Sequence, residues 1–173
     1  MSPSFSNERH LKNYSIETDL YSGVGQAVQD HCRMAGLTCA GIVIATYRVD
    51  FGLIPASMHV RKVWHGNTRE DVHRSILSRS NLLLIPYIGQ LTSDLDLLYN
   101  TARKGRRVVF KCDMSIETGE EHGGLLSPIR TVPWGSYKDY SNYGAIIAVM
   151  GNTETERPGI YQVARTWLSR VFS

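Results

Sequence analysis

Between positions 106 and 117 the chain alternates with a period of two. Val108, Phe110, Cys112, Met114 and Ile116 form one wholly apolar set. Arg107, Val109, Lys111, Asp113, Ser115 and Glu117 interleave with them and are polar apart from Val109. Such alternation predicts a strand with one buried face and one wet face. Sheets covered on one side only are typically antiparallel, whereas strands of a doubly wound parallel sheet are apolar throughout. This run therefore points to an α+β fold.

The neighbouring segments extend that expectation. Residues 40–51 read as a β-rich strand, and alternation resumes from Ser57 to His65, which predicts an antiparallel hairpin with a long loop. Leu82–Ile88 is a short apolar strand in which Pro86 argues for a strand end or an edge. Ala145–Met150 is a further buried strand. Helices are predicted where Leu20, Val24, Ala27, Val28 and Cys32 recur before Gly36, and after Thr68-Arg-Glu-Asp71, a capping-box pattern. Two more follow Ser93-Asp-Leu-Asp96 and Pro158, the latter lining Ile160, Val163, Trp167 and Val171. The expected architecture is a single α+β domain, a mainly antiparallel sheet packed with three to four helices. Residues 1–18, polar and rich in Ser and Asn, read as a flexible N-terminal segment ahead of a globular domain over 19–173. With 173 residues, 42% hydrophobic and 20% charged, the chain can build its own core, and wholesale disorder is excluded.

Local chemistry is sparse. No C-x-x-C, H-x-x-x-H or G-x-S-x-G occurs, so no catalytic residue, metal ligand set or cofactor is assigned. Cys32, Cys39 and Cys112 read as reduced thiols. His65 and His73 flank a helix start near Glu70 and Asp71, without a nucleophile at a recognisable spacing. Gly23-Val-Gly25 lacks the third glycine of a dinucleotide loop, and no strand is predicted before it. The net charge of +3 permits an anionic partner without requiring one. Arg103, Lys104, Arg106, Arg107 and Lys111 form a basic cluster suited to RNA or acidic lipid, although cations also complement a helix C-terminus. Acidic residues follow at Asp113, Glu117, Glu120 and Glu121. Trp134, Tyr137, Tyr140 and Tyr143 stud a loop-rich stretch. Phe5, Leu11 and Ile16 are the apolar anchors of the N-terminal segment, and with Trp134, Tyr137 and Tyr140 they make the candidate self-association surfaces.

Two resemblances add to this reading. Thr68-Arg-Glu-Asp-Val-His-Arg-Ser-Ile-Leu77, Tyr87-Ile-Gly89, Lys104-Gly105 and Val132-Pro-Trp-Gly-Ser-Tyr-Lys-Asp-Tyr140 occur in an order that resembles the small matrix proteins of plant-infecting rhabdoviruses. The resemblance implies a non-enzymatic viral structural protein of the virion and host cytoplasm. Such a protein associates with itself and with the viral nucleocapsid, and meets an anionic membrane or RNA during assembly. As the alternative, Ser80-Asn-Leu-Leu-Leu-Ile-Pro86 and Asp94-Leu-Asp-Leu-Leu-Tyr-Asn-Thr-Ala-Arg-Lys-Gly-Arg-Arg-Val-Val109 look like a strand–helix–strand segment of nucleoside deoxyribosyltransferase-like and TIR-like α/β enzymes. That resemblance implies a nucleotide-processing protein with a catalytic glutamate in the helix. Asp96, Leu97 and Asn100 stand in that stretch here, and neither the group's opening strand nor its glycine-rich turn is predicted.

Overall fold

The computed structural model of the chain describes residues 14–44, 59–63, 68–115 and 145–172, with the side chains of 14, 44, 59–63 and 145 excepted. In chain order these form β1 (Tyr14–Asp19), α1 (Val24–Ala35), β2 (Cys39–Ile44), β3 (His59–Val63), α2 (Arg69–Arg79), β4 (Leu82–Tyr87), α3 (Ser93–Lys104), β5 (Val108–Asp113), β6 (Ala145–Val149) and α4 (Ile160–Val171). The strands lie in one sheet in the order β3-β2-β1-β6-β4-β5. Every neighbouring pair is parallel.

This corrects the expected antiparallel α+β sheet: the fold is α/β. The predicted hairpin is a parallel pair, β2 with β3, in register from Ala40↔His59 to Ile44↔Val63. The alternation that suggested a half-wet antiparallel sheet belongs to β5, which pairs with β4 alone among the described strands. At the rim of a sheet the covering helices run out, so an edge strand keeps its period of two even in a parallel fold. Val108 is 41% exposed, while Cys112 and Met114 reach the core.

The N-terminal boundary is also corrected. Residues 14–18, assigned by sequence to the flexible segment, lie in β1, between β2 and β6. Ile16, expected as a surface anchor for self-association, is fully buried there. The other expected anchors, Phe5 and Leu11, lie outside the described residues.

Helices cover both faces. α1 and α4 pack over Ile16, Leu82, Leu84, Ile147 and Val149. α2 and α3 pack over Ile42, Leu83, Ile85, Ala148 and Met150. Their stripes follow the 3.6-residue period: Val24, Ala27, Val28 and Cys32 on α1, and Leu95, Leu98 and Ala102 on α3. Burying each large aliphatic side chain contributes roughly 1.5–3 kcal/mol. The ends are capped locally. Gly36 closes α1 in the left-handed region at φ 69. The Asp71 carboxylate accepts from the Thr68 amide at 3.0 Å and its hydroxyl at 2.9 Å, opening α2. On α4 the buried stripe is Ile160, Ala164, Trp167, Leu168 and Val171, which leaves Val163 on the outside.

Pro86 sits within β4 without damage. The β4–β6 register ends at Leu84↔Val149, so the missing amide falls where that ladder has stopped. The edge position of β5 yields a direct comparison. Leu84→Ala should cost about 2–5 kcal/mol in urea unfolding, and Val108→Ala less than about 1 kcal/mol. Equal costs at the two sites would contradict the strand order.

Candidate ligand site at the carboxyl edge

In open parallel sheets, ligands sit outside the carboxyl ends of the strands, where the winding direction switches. Here β1 leads outward to β2 and β3, β4 leads outward to β5, and β6 returns between β1 and β4. The carboxyl ends of β1, β6 and β4 are therefore the place to search.

β1 ends on Asp19, 1% exposed, whose side chain points to α2. His73 Nε2 lies 3.2 Å from Asp19 Oδ2, and Arg69 Nη2 lies 3.5 Å from the same oxygen. Arg69 is itself only 10% exposed. Its Nη1 donates to Glu156 Oε1 at 2.6 Å and its Nη2 to the Gly151 carbonyl, while its guanidinium lies 5.2 Å from the centre of the Tyr21 ring. Asn152 joins from the same loop: its Nδ2 donates to Glu156 Oε2 at 3.2 Å, and its Oδ1 accepts from the Ile88 amide at 3.4 Å. Burial alone would push the Asp19 carboxyl up. The Arg69 charge, the His73 hydrogen bond and charge, and the Tyr21 amide outweigh it and hold Asp19 below its ordinary 3.8.

The turn after β1 holds Gly23-Val-Gly25, and a strand does precede it, contrary to the sequence reading. Its geometry nevertheless excludes a phosphate cradle at α1. A Cβ on Gly23 (φ 85) would lie 2.6 Å from both the Asn152 carbonyl and the Glu154 amide, so the adjoining loop already fills the space. The Val24 amide donates to Asn152 O at 3.0 Å. The start of α1 is thus occupied by the chain itself. Gly25 is required by its approach to Asp19, whose Oδ1 would stand 2.5 Å from a Cβ there.

The carboxylates outnumber the guanidinium, since Asp19 and Glu156 share Arg69. Glu154 accepts from the Tyr161 amide at 3.1 Å and from Gly159, capping α4. Asp113 accepts from the Gly89 amide at 3.3 Å and from the Ser115 amide and hydroxyl at 3.0 and 2.6 Å. Although burial opposes it, those Ser115 and Gly89 bonds hold the Asp113 carboxyl below its usual range. Two buried polar atoms lack a hydrogen-bond partner among the described residues, Arg69 Nε and Thr92 Oγ1. Arg69 opens α2 and Thr92 is the N-cap of α3. Glu70 and Asp94, one and two residues further on, line a common groove with His73, so the two helix starts are neighbours.

The basic cluster lies elsewhere, on the β5 side. Arg107 donates to the Ser80 and Ser78 carbonyls at 3.0 and 3.4 Å, satisfying the end of α2. Lys111 Nζ and the Arg103 guanidinium lie 4.7 and 5.7 Å from the centre of the Tyr99 ring. Arg103 and Lys104 stand in the last turn of α3, and Arg106 is exposed at φ 56. Trp134, Tyr137 and Tyr140 lie outside the described residues. Asp19, Arg69, Asn152 and Glu156 were not singled out by sequence. The available signal was an acidic residue four positions before Gly-Val-Gly, which marks a strand end leading into a tight turn.

Fold and site together define a Rossmann-like α/β protein. No protein-family model and no curated protein matches the sequence. Among solved structures the chain is similar to the "putative molybdenum carrier protein" of Syntrophus aciditrophicus SB. The TM-score is 0.72 at 16% identity, over 92% of this chain and 94% of that one. At such identity the likeness establishes the fold alone.

Because Asp19 is depressed in the folded state, its contribution is full above its unfolded value and is lost as pH falls through 3.8 and below. Acid titration should therefore show wild-type stability declining from about pH 5 downward. Asp19→Asn should be less stable by about 3–5 kcal/mol at pH 7, with a shallower acid slope. Identical slopes in the two proteins would remove Asp19 from the linkage.

Proposed function

We propose that the chain binds a nucleoside-class ligand at the carboxyl edge, between the starts of α2 and α3 and the ends of β1 and β6. The observation that carries this reading is the pair of orphaned polar atoms, Arg69 Nε and Thr92 Oγ1, at neighbouring helix starts. A buried polar group without a partner asks for a ligand or an ordered water. A nucleoside's sugar carries hydroxyls that both accept and donate, so separate hydroxyls of one ligand suit an N–H and a hydroxyl.

The charge balance supports a neutral ligand over a polyphosphate. Two carboxylates flank the one guanidinium, and the amide at the start of α1 is occupied by Asn152 O. The alternative drawn from sequence, a nucleotide-processing α/β protein, shares this parallel architecture. Its opening strand and glycine turn correspond to β1 and Gly23-Val-Gly25. α3 offers Asp96, Leu97 and Asn100, all exposed, where that group carries a glutamate, so the proposal is binding without glycosidic cleavage.

Molybdenum, named for the similar structure, fits the described residues poorly. No group of three or more His, Cys, Asp or Glu among them is placed to hold a metal ion. An oxyanion at this edge would meet carboxylates and an already paired Arg69.

Calorimetry with adenosine, AMP, ATP and molybdate tests the reading. Adenosine should bind, with affinity falling as phosphates are added. Thr92→Val should weaken adenosine about 3- to 10-fold, the worth of one hydrogen bond, without lowering the melting temperature of the free protein. Binding of molybdate alone, or adenosine binding unchanged in Thr92→Val, would overturn the proposal. Chromatography of the same mixtures should show intact nucleoside, and turnover abolished by Asp96→Asn would replace binding with catalysis.

A further inference from the structure

The cations at the end of α3 and on β5 stand apart from the ligand site, and the structure divides them. Arg107 is committed to the Ser80 and Ser78 carbonyls. Arg103, Lys104, Arg106 and Lys111 are exposed, and among the described residues none of the four makes an ion pair. Arg33, Arg69, Arg74, Arg79 and Arg165, by contrast, each meet a carboxylate. The dipole of α3 accounts for Arg103 and Lys104 in its last turn, but not for Lys111 in β5. Lys111 instead reaches from the strand to the helix: its Nζ and the Arg103 guanidinium stand 4.7 and 5.7 Å from the centre of the same Tyr99 ring. Like charges gathered in this way repel one another until an anion joins them. Arg106 adds a second, independent observation. The Arg107 amide donates to Ala102 O at 2.9 Å and the Arg106 amide to Arg103 O at 3.0 Å, the paired bonds of a Schellman stop, with Arg106 as its left-handed residue at φ 56. α1 places Gly36 at the equivalent position, φ 69. Arg106 is the one described non-glycine residue at positive φ. A side chain there costs stability that glycine would not, so a cation is held where the fold alone favours glycine.

We propose that Arg103, Lys104, Arg106 and Lys111 form a binding surface for single-stranded nucleic acid. The four cations take phosphates, and a base stacks on the Arg103 guanidinium beside Tyr99. The surface is a helix end and an edge strand, with no projecting helix or ribbon to enter a duplex groove. It also lacks the broad apolar face of a membrane anchor: over residues 103–111, Val108 is the one exposed large hydrophobic side chain. Arg107 lies outside the contact set, because its guanidinium closes the end of α2.

The test is fluorescence anisotropy of a labelled oligouridylate titrated with the full chain at a series of salt concentrations. Four phosphate contacts on a single strand should lower the affinity about 50-fold between about 50 and 200 mM salt. Arg106→Gly should lower it only about 20-fold over the same range, the loss of one contact. Its melting temperature should be no lower than that of the wild type, since glycine takes the left-handed position freely. Lys111→Ala should reduce the salt slope by the same amount. Arg107→Met should lower the melting temperature and keep the slope. Excess adenosine should leave oligouridylate binding unchanged, which separates this surface from the carboxyl edge. A wild-type slope in Arg106→Gly and Lys111→Ala, a slope that follows Arg107 instead, or binding to phosphatidylserine vesicles with none to oligouridylate would overturn the proposal.

Discussion

One buried carboxylate organises the carboxyl edge. Asp19 ends β1, and its side chain draws the start of α2 onto the sheet through Arg69 and His73. Arg69 then reaches the loop after β6 at Gly151 and Glu156. Gly25 brings the start of α1 against the Asp19 carbonyl and carboxylate. A buried ion pair is close to neutral against apolar packing, but removing one partner strands the other, at a cost of about 3–5 kcal/mol. The network therefore contributes specificity of arrangement: it fixes which helix start meets which strand end.

Glu17, two residues earlier on the same face of β1, has the same role at the other end of α2, where it lies 3.4 Å from Arg79. The two carboxylates hold one helix by both its ends. Thr18 points the other way and donates to the Val149 carbonyl at 2.7 Å. Three consecutive polar residues in a central strand are thus all partnered, as burial requires.

That arrangement explains what could be read in the sequence. Helices were legible because their signals are local: the Thr68–Asp71 box, the Gly36 stop, and the stripes on α1 and α3. β4 and β6 were legible as apolar runs. β1 was not, because Glu17, Thr18 and Asp19 look like a solvated lead until partners 50 or more residues away are in place. The wet face of β5 reported an edge, and period alone cannot separate an edge from an open antiparallel face. The site was hidden for the same reason as β1, since Asp19, Arg69, His73 and Glu156 share no local motif. The Gly-Val-Gly turn was its one local trace, and its glycines serve the approach of chain segments to one another. Arg107 of the basic cluster closes the end of α2, work that local charge spacing does not reveal.

The most direct test of this account is a double-mutant cycle between Asp19 and Arg69, measured by urea unfolding at pH 7. Asp19→Asn, Arg69→Met and the pair together should reveal a coupling energy of about 1.5–3 kcal/mol, with the double mutant more stable than the sum of the single losses. Additivity within about 0.5 kcal/mol would contradict the claim that this contact holds the carboxyl edge together.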